Sequence, residues 1–239
     1  EDSETGRLLP PALHCTVPAQ RAAQTRAAAR SLGDLAWKRF AWHCEEGQPM
    51  LPVSCDPEQA LLNRAWRPTL AVTGAEGLPA LRAAGNVLRP RTAFKLSLRL
   101  PPLVDSAAAL AEVKRLLEAD PPYAAHVHFR PDATHASGWN APDVAPWLGE
   151  ALDVASEAAF GAPCAYIGQG GTIPLMRTLA DAFPQAQMMV CGVLGPGANA
   201  HGPNEFLHVP YARKLTASVA SVLAAMARRT AGEGAAAAG

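Results

Sequence analysis

The chain has 239 residues, 49% of them apolar, and its 21 basic side chains are balanced by 21 acidic ones. That length buries a sizeable core, in one large domain or two small ones. Zero net charge argues against electrostatic binding to nucleic acid, and no apolar run approaches the roughly 20 residues needed to span a bilayer.

The opening stretch, EDSETGRLLPPAL, is acidic and then broken by proline, so it does not read as a secretory signal. It has no initiating Met, and the sequence is expected to continue upstream. Residues 17–40 are rich in Ala and Arg, with apolar residues at helical spacing. A second helix is predicted over PEQALLNRAW, where Asp56-Pro57 supplies an N-cap and first turn. TLAVTGAEG, residues 69–77, reads as a strand entering a Gly-rich turn. RTAFKLSLRLPP, residues 91–102, alternates Phe94, Leu96, Leu98 and Leu100 with Lys95, Ser97 and Arg99. That is the period of a half-buried strand, stopped by Pro101-Pro102.

DSAAALAEVKRLLEA, residues 105–119, is predicted to be an amphipathic helix capped by Asp105 or Ser106. AHVHFRPDA, residues 125–133, reads as another strand. Strands with one intervening helix suit an open antiparallel sheet covered by helices on one face, an α+β arrangement.

The pattern then changes. Residues 141–161 read as a helix, CAYIGQGG as a short strand and TIPLMRTLADAF as a helix. AQMMVCGVLG is a nearly continuous apolar run, as expected of a strand covered on both faces. Residues 210–230 form the last predicted helix, and AGEGAAAAG is expected to fray. Helices alternating with buried strands imply α/β. The division of the chain is placed within THASGWNAP, giving residues 1–133, residues 134–230 and a flexible tail, 231–239.

Two Gly-rich loops stand at predicted strand ends, GQGGTIP (168–174) and GPGANAHGPNE (195–205). Ligands in open α/β sheets bind beyond the carboxyl ends of strands. Consecutive glycines let backbone N–H groups approach an anion, helped by a helix starting near Ile173, though a plain tight turn accounts for the same residues. His201, followed by Gly202-Pro203, is either a loop residue or a metal ligand whose partners are distant in sequence, because a zinc site needs three or four ligands. Glu205 is read as the start of the next helix. His126 and His128 share a strand face but lack a third ligand nearby, and Glu45-Glu46 reads as a solvated pair. Arg99 is either solvent-facing or a guanidinium fork for a substrate carboxylate, and Asn86 could hydrogen-bond from the same face. The five cysteines (Cys15, Cys44, Cys55, Cys164 and Cys191) are irregularly spaced, which suits reduced thiols and a cytoplasmic setting.

Four segments in order resemble the M20 family of zinc metallopeptidases, which includes dipeptidases, carnosinases and aminoacylases. AGNVLRPRTAFKLSLRLPP resembles the hairpin of the family's lid domain, and ASGWNAP its return to the catalytic domain. GQGGTIP resembles the family's REGGSIP, and GANAHGPNE its DDGAHSQNE. The resemblance implies a ferredoxin-like lid and dimerisation domain over residues 1–133, followed by the last part of an α/β catalytic domain. It makes His201 a zinc ligand, and Arg99 and Asn86 lid residues that reach the substrate. Gly171 and Thr172 become the loop that holds the substrate's carboxylate end.

In the complete family enzyme two zinc ions polarise the amide carbonyl, and a glutamate moves the proton. The implied reaction is hydrolysis of a dipeptide, with an N-acyl amino acid as the alternative substrate, in a homodimer formed through the lid. Gly168 and Gln169 replace the usual Arg and Glu. The family's HxD pair, Glu-Glu pair and further Asp ligand all precede the lid and have no counterpart here, leaving one zinc ligand. The chain alone is therefore expected to be inactive without a missing N-terminal half. A non-catalytic dimerisation or binding module is the rival reading; a nucleotide-binding domain fits poorly, because GQGGT carries no phosphate-loop Lys.

Overall fold

The computed structural model describes residues 1–40, 44–45, 48–132, 135–170 and 174–237. They divide into two compact units: Glu1–Asn140 with Tyr166–Ala182, and Ala141–Ala165 with Phe183–Gly239.

In the first unit, α1 (Ala19–Leu32), α2 (Leu35–Lys38) and α3 (Pro57–Trp66) pack through small side chains. Ala28, Ala29, Ala36 and Leu61 are buried together. Alanine suits this cluster twice over, as the best helix former and as a residue that loses no side-chain entropy on burial. Gly33 ends α1 with φ 52° and ψ −140°, a conformation closed to residues with a Cβ. A two-residue pair, β1 (Cys44–Glu45) and β2 (Gln48–Pro49), follows. Asp56 caps α3 by accepting the Gln59 N–H at 2.7 Å, with Pro57 in the first turn.

β3 (Thr69–Glu76) and β4 (Ala93–Arg99) form an antiparallel ribbon, registered from Thr69 opposite Arg99 to Glu76 opposite Ala93. The ladder is irregular between Val72 and Gly74. Only its base reaches the core. Leu70, Leu98 and Leu100 pack on a cluster of Leu8, Leu13, Val104, Ala109 and Val113, the last two from α4 (Ser106–Glu118). Toward the tip Val72 is 60% exposed and Phe94 57%. The period-2 alternation therefore describes a half-buried strand at Leu98 and Leu100 but not at Phe94. Asp105 rather than Ser106 caps α4, accepting the Ala108 N–H at 2.7 Å. The Ser106 hydroxyl instead pairs with His135 and Ser137, each at 3.1 Å.

Residues 125–132 do not form the expected strand. Tyr123 and Ala124 turn the chain at positive φ, and the Phe129 N–H, which a ladder would use, donates to Glu118 Oε1 at 2.7 Å. Asp132 meets Lys95 of β4 at 3.7 Å, so this segment runs beside the ribbon without joining it. The described residues of the first unit thus combine helices with two small two-stranded antiparallel sheets. α6 (Pro174–Ala182) completes it.

The second unit is built on α5 (Pro146–Phe160) and α7 (Val209–Ala237). Leu148 and Ala155 meet Val222, with Trp147, Leu152 and Met189 around them. The Ser218 hydroxyl reaches the Ala155 carbonyl at 3.4 Å, a close approach that two small residues allow. Gly161 ends α5 in the left-handed region, and the alanines beyond residue 230 continue α7 through Ala237 rather than ending it. No strand forms at residues 163–168 or 186–194. An apolar run becomes a strand only beside a ladder partner, and the described residues supply none. Val190 and Val193 are accordingly exposed. Among the described residues no helix is long and apolar enough to cross a membrane.

Candidate substrate and metal residues

The glycine loop of the first unit lies on the last turn of α3. Ala65 and Trp66 are buried there, and the loop approaches the helix backbone more closely than any side chain would permit. A Cβ at Gly168 would stand 2.6 Å from the Ala65 Cβ, and one at Gly170 would stand 2.0 Å from the Arg64 carbonyl oxygen. Close approach, more than turn geometry, is what requires glycine at both positions.

Two guanidinium groups hold this loop by its carbonyls. Arg99 Nη1 donates to the Gly170 carbonyl at 3.1 Å, and Arg64 Nη2 donates to that of Gly168 at 3.4 Å. Arg99 is the last residue of β4 and is exposed, so it keeps donors for a ligand. Arg99 is thus solvent-exposed and bonded to the loop at once. Gly171, Thr172 and the helix start at Ile173 lie outside the described residues.

Asn86 is exposed in the connection between β3 and β4, at the far end of the ribbon. Arg89 Nη1 closes that connection on the Gly77 carbonyl at 3.2 Å. Arg99 stands at the base, opposite Thr69. Six residue steps of β4 separate tip from base, about 20 Å at the usual strand rise. Arg99 thus lies at the base of the ribbon, and Asn86 in the connection beyond its other end.

His201 belongs to the second unit, in a loop with positive φ at Gly195, Gly197, Asn199, His201 and Asn204. The loop closes through Phe206 N–H to the Ala198 carbonyl at 3.1 Å and His208 N–H to the Leu194 carbonyl at 2.8 Å, with Ala198 buried. Glu205 does not begin a helix. Its carboxylate accepts the backbone N–H of His201 at 3.0 Å, leaving the exposed imidazole outside that bond. The residue before α7 is His208, whose Nδ1 accepts the Tyr211 N–H at 3.1 Å as an N-cap.

Among the described residues no three His, Cys, Asp or Glu side chains gather where a metal ion could be held. His126 and His128 are exposed. These residues do not fit a two-zinc centre, which needs several converging ligands.

Sequence reading passed over Arg64 and His208. An arginine beside apolar positions of a short helix looks like any solvated one, and its contact is 104 residues away. His208, immediately before an apolar helix, could have been found as a cap.

No family model matches the chain. A cysteinylglycine-S-conjugate dipeptidase of Corynebacterium striatum is 31% identical over 156 residues, covering 61% of this chain and 33% of that protein. The di-peptidase Dug1p of Saccharomyces cerevisiae matches in structure with a TM-score of 0.60 at 17% identity, over 94% of this chain and 46% of its own. Human carnosine dipeptidase 1 matches with a TM-score of 0.58 at 18% identity, over 95% of this chain and 46% of its own. The M20 family metallo-carboxypeptidase Sso-CP2 of Sulfolobus solfataricus matches with a TM-score of 0.60 at 16% identity, over 89% and 46%.

The chain therefore spans a third of the curated relative and just under half of each solved structure. These similar proteins are dipeptidases and an M20 family metallo-carboxypeptidase, the group that the four motifs resemble.

Proposed function

We propose that this chain is part of an M20-type dipeptidase and contributes its carboxylate-recognition elements. What carries the reading is Arg99 bonded to Gly170, which joins the strand-end arginine to the glycine loop within one unit. An exposed guanidinium beside close-packed backbone suits a substrate's free carboxylate, bound in the fork geometry that arginine favours. Gly171 and Thr172 follow that loop directly and would hold the same carboxylate. The substrate is a dipeptide, or in the second reading an N-acyl amino acid, since both end in that group.

His201 would serve as one zinc ligand. The remaining ligands of a two-zinc centre and the catalytic base are not among the described residues, so no catalytic step is assigned to this chain and its isolated form is expected to be inactive. They would come from a further segment or another chain. The exposed apolar side chains of Val72 and Phe94 support a homodimer through the ribbon, which would carry Asn86 toward a partner's site. Free thiols at Cys15, Cys55, Cys164 and Cys191 support a cytoplasmic setting.

Zinc content by elemental analysis, beside a His201→Ala variant and a dipeptide-hydrolysis assay, tests this. Sub-stoichiometric zinc in both proteins with no hydrolysis is the expected result. About two zinc ions per chain, lost with His201, would instead mean a complete centre.

A further inference from the structure

We infer that Arg64 is a positioning residue of the glycine loop: with Arg99 it clasps the loop by two carbonyls, and it places a positive charge with no carboxylate partner among the described residues behind the surface proposed to receive the substrate carboxylate. The inference rests on that reading of the loop. Arg64 itself lies on α3, outside the four motif segments, although the carbonyl it holds belongs to one of them.

The Arg64 Nε is buried without a hydrogen-bond partner among the described residues, and Nη2 reaches only the Gly168 carbonyl. Burial lowers the pKa of its guanidinium, and the charged neighbour acting on it, Arg39, has the same sign and lowers it further. A largely covered cation short of a counter-ion is unfavourable, and an arriving anion offsets that. Gly168 itself carries no side chain, so the charge at this end of the loop comes from the helix beneath it. Gly170 seals the arrangement by resting on the Arg64 backbone, leaving no space even for a methyl group.

The test uses the full chain as wild type, Arg64→Lys and Arg64→Met, each checked for folding by circular dichroism. Amide hydrogen exchange across residues 168–170 reads the clasp. Titration with N-acetylglycine and with N-acetylglycinamide reads the charge, since the two probes differ only in carboxylate against carboxamide. Arg64→Met is expected to exchange about tenfold faster at the loop and to lose most of the carboxylate preference, by about fivefold or more. Arg64→Lys keeps the charge and is expected to retain most of that preference, which a merely structural role would not do.

Unchanged exchange in Arg64→Met overturns the clasp whatever the ligands do. Faster exchange with an unaltered carboxylate preference overturns the charge role. A wild type that binds both probes equally removes the carboxylate reading of the loop instead, while the exchange data still decide whether Arg64 holds it.

Discussion

Arg99 and Gly170 stand 71 residues apart in sequence, yet the guanidinium of one donates to the carbonyl of the other at 3.1 Å. This bond ties the end of β4 to the loop lying on α3. Arg99→Met is expected to weaken binding of a carboxylate-terminated dipeptide about tenfold or more, the usual scale for losing a charged hydrogen bond. Arg99→Lys recovers only part of this, because an ammonium has no fork. Calorimetric titration of the two variants checks it, and equal affinity in wild type and Arg99→Met would refute the role.

Gly170→Ala places a methyl carbon where the Arg64 carbonyl already stands, so the loop must leave the helix. A cost of about 2 kcal/mol or more is expected. Gly85→Ala and Gly192→Ala meet no atom within 4 Å and serve as controls, each expected within about 0.5 kcal/mol of wild type. Urea unfolding of the three variants separates them.

Asp105→Ala removes the acceptor for the Ala108 N–H at the start of α4. The expected loss is about 1 kcal/mol, and Asp105→Asn should restore most of it. Because α4 supplies Ala109 and Val113 to the cluster beneath the ribbon, the same variant should raise amide exchange at Leu98.

Glu118 accepts from the Lys114 ammonium and from the Phe129 N–H, and these two bonds, the lysine's first, hold its carboxyl below the usual glutamate range. A carboxyl whose pKa is lower in the folded state contributes stability above its unfolded pKa and loses it as pH falls through the folded value. Attachment of the chain at Phe129 is therefore expected to loosen as pH falls below the usual glutamate range. Glu118→Gln should flatten that dependence, read from exchange at Phe129 against pH. An unchanged profile in Glu118→Gln would assign the acid response elsewhere.

The sequence announced features whose chemistry is local. Asp56-Pro57 and Asp105 start helices because a short carboxylate reaches N–H groups three residues on, and both caps are where the spacing puts them. The ribbon was legible from alternation between Phe94 and Leu100, but not how much of it is covered, since coverage depends on α4 and not on the strand. The apolar run at 186–194 reads as a buried strand because hydropathy cannot say whether a ladder partner is present. Glu205 reads as a helix start for a similar reason: spacing favours a helix, while the positive φ at His201 and Asn204 bends the backbone and turns the carboxylate toward His201. Of the two arginines that hold the glycine loop, Arg99 was visible as a polar break in an apolar strand. Arg64 was not, because its significance lies in a loop folded onto it from far along the chain.

The ribbon between Arg99 and Asn86 behaves as a cantilever. It is fixed where Leu70, Leu98 and Leu100 enter the core, and partway out Lys95 is paired with Asp132. A rigid beam about 20 Å long converts a tilt of about 10° at its root into about 3.5 Å at its tip, the difference between touching and missing a hydrogen-bond partner. The root is also where Arg99 bonds to the loop, so the ribbon and the glycine loop share one anchor.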